Sequence, residues 1–184
     1  MRDEIEEGIR RTLELMSRLG IDGEILRHEE VSGRTSEGAA EALGVPLERV
    51  VKTLIFTAGG RFAAVVTLGD RRVDVKALRD LVGLKKPRLA TPEEVERLLG
   101  FSPGGIPPFA PAGLMPCLVE QAALELDWVV GAAGSEFAGV RFDPKGLLSL
   151  GFKPAKVSRS CEKRRYEPSE PSEGYDLGER PDEA

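Results

Sequence analysis

Two apolar runs separated by a glycine pair constrain this chain most. Residues 50–58 (VVKTLIFTA) and 61–68 (RFAAVVTL) flank Gly59-Gly60. The runs are rich in β-branched residues, and a Gly-Gly pair supplies the positive φ values that a tight two-residue turn requires. The pattern predicts a β-hairpin. One residue in it is out of place. Side chains alternate along a strand, so Val50, Lys52, Leu54 and Phe56 share a face. An ammonium on an otherwise apolar face is costly unless a partner or a pocket receives it. Lys52 is therefore the first candidate site residue.

Around the hairpin the chain reads as α+β. Ile5, Ile9, Leu13 and Met16 recur at helical spacing over residues 3–19, and Gly20 closes that helix. A strand is expected near 23–30. Thr35 or Ser36 caps a helix that ends at Gly44, and Asp74 caps another through Leu81. Thr91-Pro92-Glu93-Glu94 is a capping box with proline at the first helical position, opening a helix that stops at Gly100. Strands are expected near 87–89, 115–119, 128–130 and 140–142. Asp143-Pro144 is read as the cap of a last helix through Leu150. Hairpins, more strands than helices and interrupting helices favour a mixed, curved or barrel-like β-sheet flanked by helices over a doubly wound sheet.

A length of 184 residues with 41% apolar content fits one domain with a real core. That domain is expected over residues 1–160, with residues 1–19 as its N-terminal helix. The remainder, 161–184, is rich in Pro, Ser and Glu and poor in aliphatics, and reads as a disordered acidic tail. From Cys161 onward eight acidic residues face four basic ones, so most of the net charge of −5 belongs to the tail. The body is nearly neutral and can carry a local basic patch. Candidates are Lys76, Lys85, Lys86, Arg88, Lys153, Lys156 and Arg159. No apolar run reaches membrane-spanning length and the N-terminus lacks a signal-peptide core, so a cytoplasmic protein without a membrane partner is expected. Cys117 and Cys161 are read as free thiols, Cys117 in the core, and no zinc-ligand cluster is present. A single histidine, His28, excludes multi-histidine metal sites. No metal and no cofactor are expected.

A second unusual segment follows Lys52 by about fifty residues. Ser102-Pro103-Gly104-Gly105-Ile106-Pro107-Pro108-Phe109 is a stiff loop with free backbone amides and little side-chain cover. Together with a lysine on a buried face it suggests a pocket for an anionic or carbonyl-bearing ligand. Val51-Lys52-Thr53-Leu54, the loop Gly104–Phe109, and Gly131-Ala132-Ala133-Gly134 leading to Asp143-Pro144 occur in an order and spacing similar to those of the YbaK/ProX family. The chain resembles that family over roughly residues 20–158. Its members are free-standing aminoacyl-tRNA deacylases, also found as the editing insertion of bacterial prolyl-tRNA synthetases.

The resemblance implies a β-barrel-like fold and hydrolysis of the aminoacyl ester of mischarged tRNA. It implies that Lys52 holds the 3′ end of the tRNA and that the Gly104 amide faces the aminoacyl carbonyl. Pro108 would stiffen the loop. His28, Thr35, Gly105, Ile106, Ala132, Gly134 and Gly139 fall at or near substrate-binding positions. Implied partners are the aminoacylated 3′ end of tRNA and a synthetase. Two positions depart from the family pattern. A serine before the later glycines is replaced here by Gly131 or Ala132, and an aspartate after them by Gly139. Ala110 also stands where a glycine is usual. Ser135 or Glu136 are candidates to compensate. A small pocket lined by Gly and Ala would admit esters of alanine, serine or cysteine. A non-catalytic module that binds tRNA or a synthetase is the alternative reading, favoured by the lost polar positions and opposed by Lys52 and the loop.

Overall fold

The computed structural model describes residues 1–28 and 33–161. Residues 162–184 of the expected tail (161–184) and the end of the first strand at 29–30 lie outside them. The chain is a mixed α+β fold. It opens with helix α1, Arg2–Leu19, which carries Asp3 and Glu4 in its first turn and stops at Gly20 in the left-handed conformation. Acidic residues at a helix N-terminus complement its dipole. The buried face of α1 is rotated from the expected stripe. It runs through Gly8, Ile9, Thr12, Leu15 and Met16, while Leu13 points outward at 47% exposure. Thr12 fits this buried face because its hydroxyl donates to the Gly8 carbonyl at 2.9 Å.

Strand β1 is Gly23–Arg27, and helix α2, Ser36–Leu43, follows. The predicted hairpin forms as β2, Val51–Ala58, and β3, Arg61–Leu68. Its register runs from Ala58 opposite Arg61 to Val51 opposite Leu68, with Lys52 opposite Thr67. Gly59 and Gly60 both hold positive φ, 57° and 77°, as a two-residue turn needs. Next come β4, Arg71–Val73, and α3, Val75–Val82, then β5, Arg88–Leu89, and α4, Pro92–Leu99. The Asp74 side chain accepts from Lys76 and Ala77 amides at the start of α3. Both halves of the Thr91–Glu94 capping box are formed on α4.

Past a long loop lie β6, Cys117–Glu120, β7, Val129–Ala132, and β8, Ala138–Phe142. The glycine-interrupted stretch is thus half strand: Gly131 pairs with Val140 and Ala132 with Gly139. Helix α5, Gly146–Ser149, is one turn only, and Asp143 does not cap it. Its carboxylate instead accepts from the Lys145 amide at 2.9 Å, forming a turn before the helix. The chain continues through β9, Lys153–Ala155, and β10, Ser158–Ser160.

These strands form a five-stranded mixed sheet ordered β5-β2-β3-β6-β9, a three-stranded antiparallel sheet β1-β8-β7, and a two-stranded ribbon β10-β4. A bridge between Val50 and Val130 ties the first two together. The hairpin is buried on both sides. Val51, Ile55, Ala64 and Val66 join the main core with Phe109, Val140 and Phe142. Phe56, Ala63 and Val65 join a second cluster with Leu78, Leu84 and Leu118. Glu120 is only 2% exposed, yet it is satisfied. One of its oxygens accepts from the amides of Val157 and Ser158 and from the Ser158 hydroxyl. Among the described residues no helix is long and apolar enough to cross a membrane.

Candidate functional site

Lys52 sits near the open end of β2, half-buried, where the hairpin leaves the core. Among the described residues its ammonium makes no hydrogen bond or ion pair. The strand instead delivers it to a cavity of about 440 Å³. The hairpin register fixes what stands beside it. Because Val51 pairs with Leu68, the chain leaving β3 passes the same end of the sheet, so Gly69, Arg71 and Arg72 join the cavity wall. The β7–β8 hairpin supplies another wall through Gly131, Ala132, Ser135, Glu136, Ala138 and Gly139. The start of α2 supplies Thr35, Ser36 and Glu37, and the end of β1 leads to His28.

Gly104 and Ile106 bring the amide-rich loop to this cavity. The loop is held from behind. Phe109 is fully buried and meets Phe142 edge-on at 5.8 Å. Burying such a side chain stabilises the fold by roughly 1.5–3 kcal/mol. The Gly105 amide closes a turn on the Ser102 carbonyl at 3.0 Å, and the Gly105 carbonyl accepts from the Gly134 amide at 2.9 Å. Gly104 itself holds φ at +88°, a left-handed conformation that an L side chain would strain. No hydrogen bond among the described residues takes up its amide. Gly104 thus brings to the cavity wall an amide that no described residue takes up.

The predicted residues therefore divide. His28, Thr35, Lys52, Gly104, Ile106, Ala132 and Gly139 line the cavity. Gly105, Pro108 and Gly134 do not; they form a layer behind it. A Cβ on Gly131 would stand 2.2 Å from the Pro108 ring, so the proline packs against the β7 backbone rather than a ligand. A Cβ on Gly134 would stand 2.1 Å from the Gly8 carbonyl, so α1 in turn packs against the β7–β8 loop. Thr35 spends its hydroxyl as the α2 cap, accepting from the Gly38 amide at 3.0 Å. His28 is 8% exposed, with its amide on the Phe137 carbonyl at 3.0 Å. Ser135 and Glu136, the candidate replacements for the departed polar positions, both lie in the wall. The Ser135 hydroxyl accepts from the Phe137 amide at 3.1 Å. The buried Oγ1 of Thr53, another wall residue, has no hydrogen-bond partner among the described residues.

Sequence reading missed the basic side chains that line the cavity with Lys52. Arg34, Arg71 and Arg72 line the cavity, against the carboxylates of Glu37 and Glu136. Arg34 stands 3.8 Å from Glu136. The signal for Arg71 and Arg72 was present, since a two-residue turn fixes register and so places residues just past Leu68 beside Lys52. Of the basic residues proposed for a patch, Lys76 and Arg159 line a groove adjoining the cavity. Arg88 is committed to Glu94 through two bonds of 2.9 Å, and Lys153 lies at a different hollow. Among the described residues no group of three or more His, Cys, Asp or Glu could hold a metal ion.

Comparison with known proteins matches this geometry to a family. Residues 30–150 match the model of the aminoacyl-tRNA editing domain. The uncharacterized protein YwhH of Bacillus subtilis is 33% identical over 124 residues, covering 67% of this chain and 78% of its own length. A proline–tRNA ligase of Xanthomonas campestris is 32% identical over 124 residues; the match covers 65% of this chain but only 22% of the ligase. Among solved structures, one described as "a putative trans-editing enzyme for prolyl tRNA synthetase" superposes with a TM-score of 0.75 at 31% identity. That superposition covers 83% of this chain and 98% of the other. Most of the cavity wall, from Gly33 to Gly139, falls within the matched segment, and the chain belongs to the aminoacyl-tRNA editing domain family.

Proposed function

We propose that this protein hydrolyses the ester bond between a small amino acid and the 3′ end of a mischarged tRNA. The observation that carries the reading is that Lys52, whose ammonium has no partner among the described residues, and Gly104, whose amide no described residue takes up, line one cavity. Lys52 would anchor the phosphate or ribose of the terminal nucleotide and so fix the ester in attack geometry. Water would add to the ester carbonyl carbon, and the Gly104 amide would stabilise the resulting oxyanion, an effect of about 3 kcal/mol per donor. Collapse of the tetrahedral intermediate would break the acyl–oxygen bond. The ribose oxygen would take a proton, giving a free amino acid and a tRNA with a free terminal hydroxyl. The attacking water would be oriented by backbone groups and by the substrate's own amine or neighbouring hydroxyl.

Gly131, Ala132, Ala138 and Gly139 make one wall of the cavity from small side chains. That supports alanine, serine or cysteine as the ester accepted. One methylene changes binding by only about 1–3 kcal/mol, which is why editing after charging is needed for such amino acids. Similarity to proline–tRNA ligases supports tRNA(Pro) as the carrier and a synthetase as a partner. The test is a deacylation time course on tRNA(Pro) charged with alanine, cysteine, serine or proline. Wild type should clear one of the small esters rapidly, and Lys52→Ala should slow it at least about 100-fold. If Lys52→Ala retains full activity, the assignment of Lys52 is wrong. If wild type leaves all four esters at the buffer rate while still binding tRNA, the chain is a binding module.

A further inference from the structure

The cavity does not end at Lys52. It shares Arg72 and Cys161 with an adjoining groove lined by Val73, Asp74, Lys76 and Arg159. Across the two, six cationic side chains stand against three carboxylates, in a chain whose formal net charge is −5. Positive charge is thus concentrated at one place on an acidic protein.

The ribbon that carries the groove is built in an unusual way. Strands β4 and β10 pair antiparallel with Arg159 directly opposite Arg72. Like charges directly opposite across a strand pair destabilise it. Asp74 offsets one of them, accepting from Arg159 Nε at 3.1 Å and from a terminal guanidinium nitrogen at 2.7 Å. That pair aims the guanidinium without enclosing it, since the Arg159 side chain remains 79% exposed. Arg72 makes no hydrogen bond or ion pair among the described residues. The first residues of α3 bring Lys76, also exposed, to the same groove. A repulsive pair kept on the surface beside a cavity makes physical sense when an anion normally lies over it.

We infer that the β4–β10 ribbon with the start of α3 is a docking strip for the sugar-phosphate backbone of the acceptor stem of tRNA, leading the 3′ end toward Lys52. This rests on the reading of the cavity as a site for an aminoacylated tRNA end. Arg72 and Arg159 share one paired position of the ribbon and Lys76 follows on α3, so three cations line one groove. Such contacts neutralise phosphates, confer no base specificity, and make binding salt-dependent.

The experiment measures binding of uncharged tRNA(Pro) across a salt series, and turnover of two substrates by the full-length protein. The substrates are the aminoacylated tRNA and the same amino acid esterified to a short 3′-terminal oligonucleotide. Arg159→Gln and Lys76→Gln should each weaken tRNA binding and make the slope of log affinity against log salt shallower by about one. The double variant should add the two effects. Turnover of the short substrate should not change, because neither residue lines the cavity. Lys153→Gln, at a different hollow, controls for the loss of any surface charge and should leave the slope unaltered.

An unchanged slope in variants with wild-type melting temperatures overturns the strip. Equal loss on the short and long substrates also overturns it, since the residues would then act at the ester itself. If wild type binds tRNA but hydrolyses neither substrate, and the variants still flatten the slope, the docking strip stands and the hydrolase reading falls. Absence of any tRNA binding by wild type overturns both.

Discussion

Cys117 and Cys161 carry the same thiol in opposite settings. Cys117 is 7% exposed and its thiol donates toward the carbonyls of Met115 and Pro111. Burial disfavours the thiolate and pushes its pKa up to about 12. Cys161 is exposed at the mouth of the cavity. Since the thiolate is the reactive form, iodoacetamide at pH 8 should label Cys161 and leave Cys117 unmodified until the protein is denatured. Peptide mass spectrometry on native and unfolded samples would check this, and native labelling of Cys117 would contradict its packing. The sequence placed Cys117 in the core because it sits on an apolar strand. It gave no hint that Cys161 stands at the cavity, because that position depends on β10 pairing with β4. Lys52 was legible for the opposite reason: a charge within an apolar run is conspicuous without any knowledge of the fold.

At the scale of elements, the signals that proved readable were the local ones. The caps at Thr35, Asp74 and Thr91, and the glycine stops at 20, 44 and 100, act through neighbours a few residues away. The three-residue strands β4, β9 and β10 were not readable, because partners distant in sequence create them. Helix α1 was predicted, but its contact with the site was not. It lies outside the segment matched by the family model, residues 30–150. Even so, a Cβ on Gly8 would stand 2.2 Å from the Gly134 carbonyl. Gly134 bonds to Gly105, and Gly105 is the neighbour of the Gly104 amide. In an unconstrained helix Gly→Ala would stabilise by about 1 kcal/mol. Here Gly8→Ala should instead destabilise and displace the loop. Thermal melting should fall, and kcat for ester hydrolysis should fall about tenfold with KM less affected. A higher melting temperature with unchanged kcat would show that α1 does not brace the loop.

Across the whole molecule, Glu120 ties together parts of the chain that the sequence keeps far apart. Its carboxylate accepts from the Val157 and Ser158 amides, and the Ser158 hydroxyl contacts Thr67 Oγ1 at 2.8 Å, which joins β6 and β10 to β3. Glu120→Ala would leave these donors buried without an acceptor, at about 1–3 kcal/mol for each. Against a typical total of about 5–15 kcal/mol, the loss should be plain in chemical denaturation. Denaturation midpoints for Glu120→Ala and Glu120→Gln would check it, with the glutamine variant expected to recover part of the loss. No local pattern in the sequence marked Glu120, because its partners are 37 and 38 residues away.

The hairpin turn reaches further than its two residues suggest. Lys52 faces Thr67 only because Ala58 faces Arg61. The turn therefore works as a gauge: it sets how far the chain has travelled when it passes Lys52 again, and so which charges arrive there. Inserting one residue between Gly59 and Gly60, roughly 20 Å along the strand from Lys52, would slip the register and turn one strand's faces over. Either the core would lose its match, or Arg71 and Arg72 would reach the cavity mouth out of step with Lys52. The charge of the entrance is thus written in part as a length, held at the far end of the sheet.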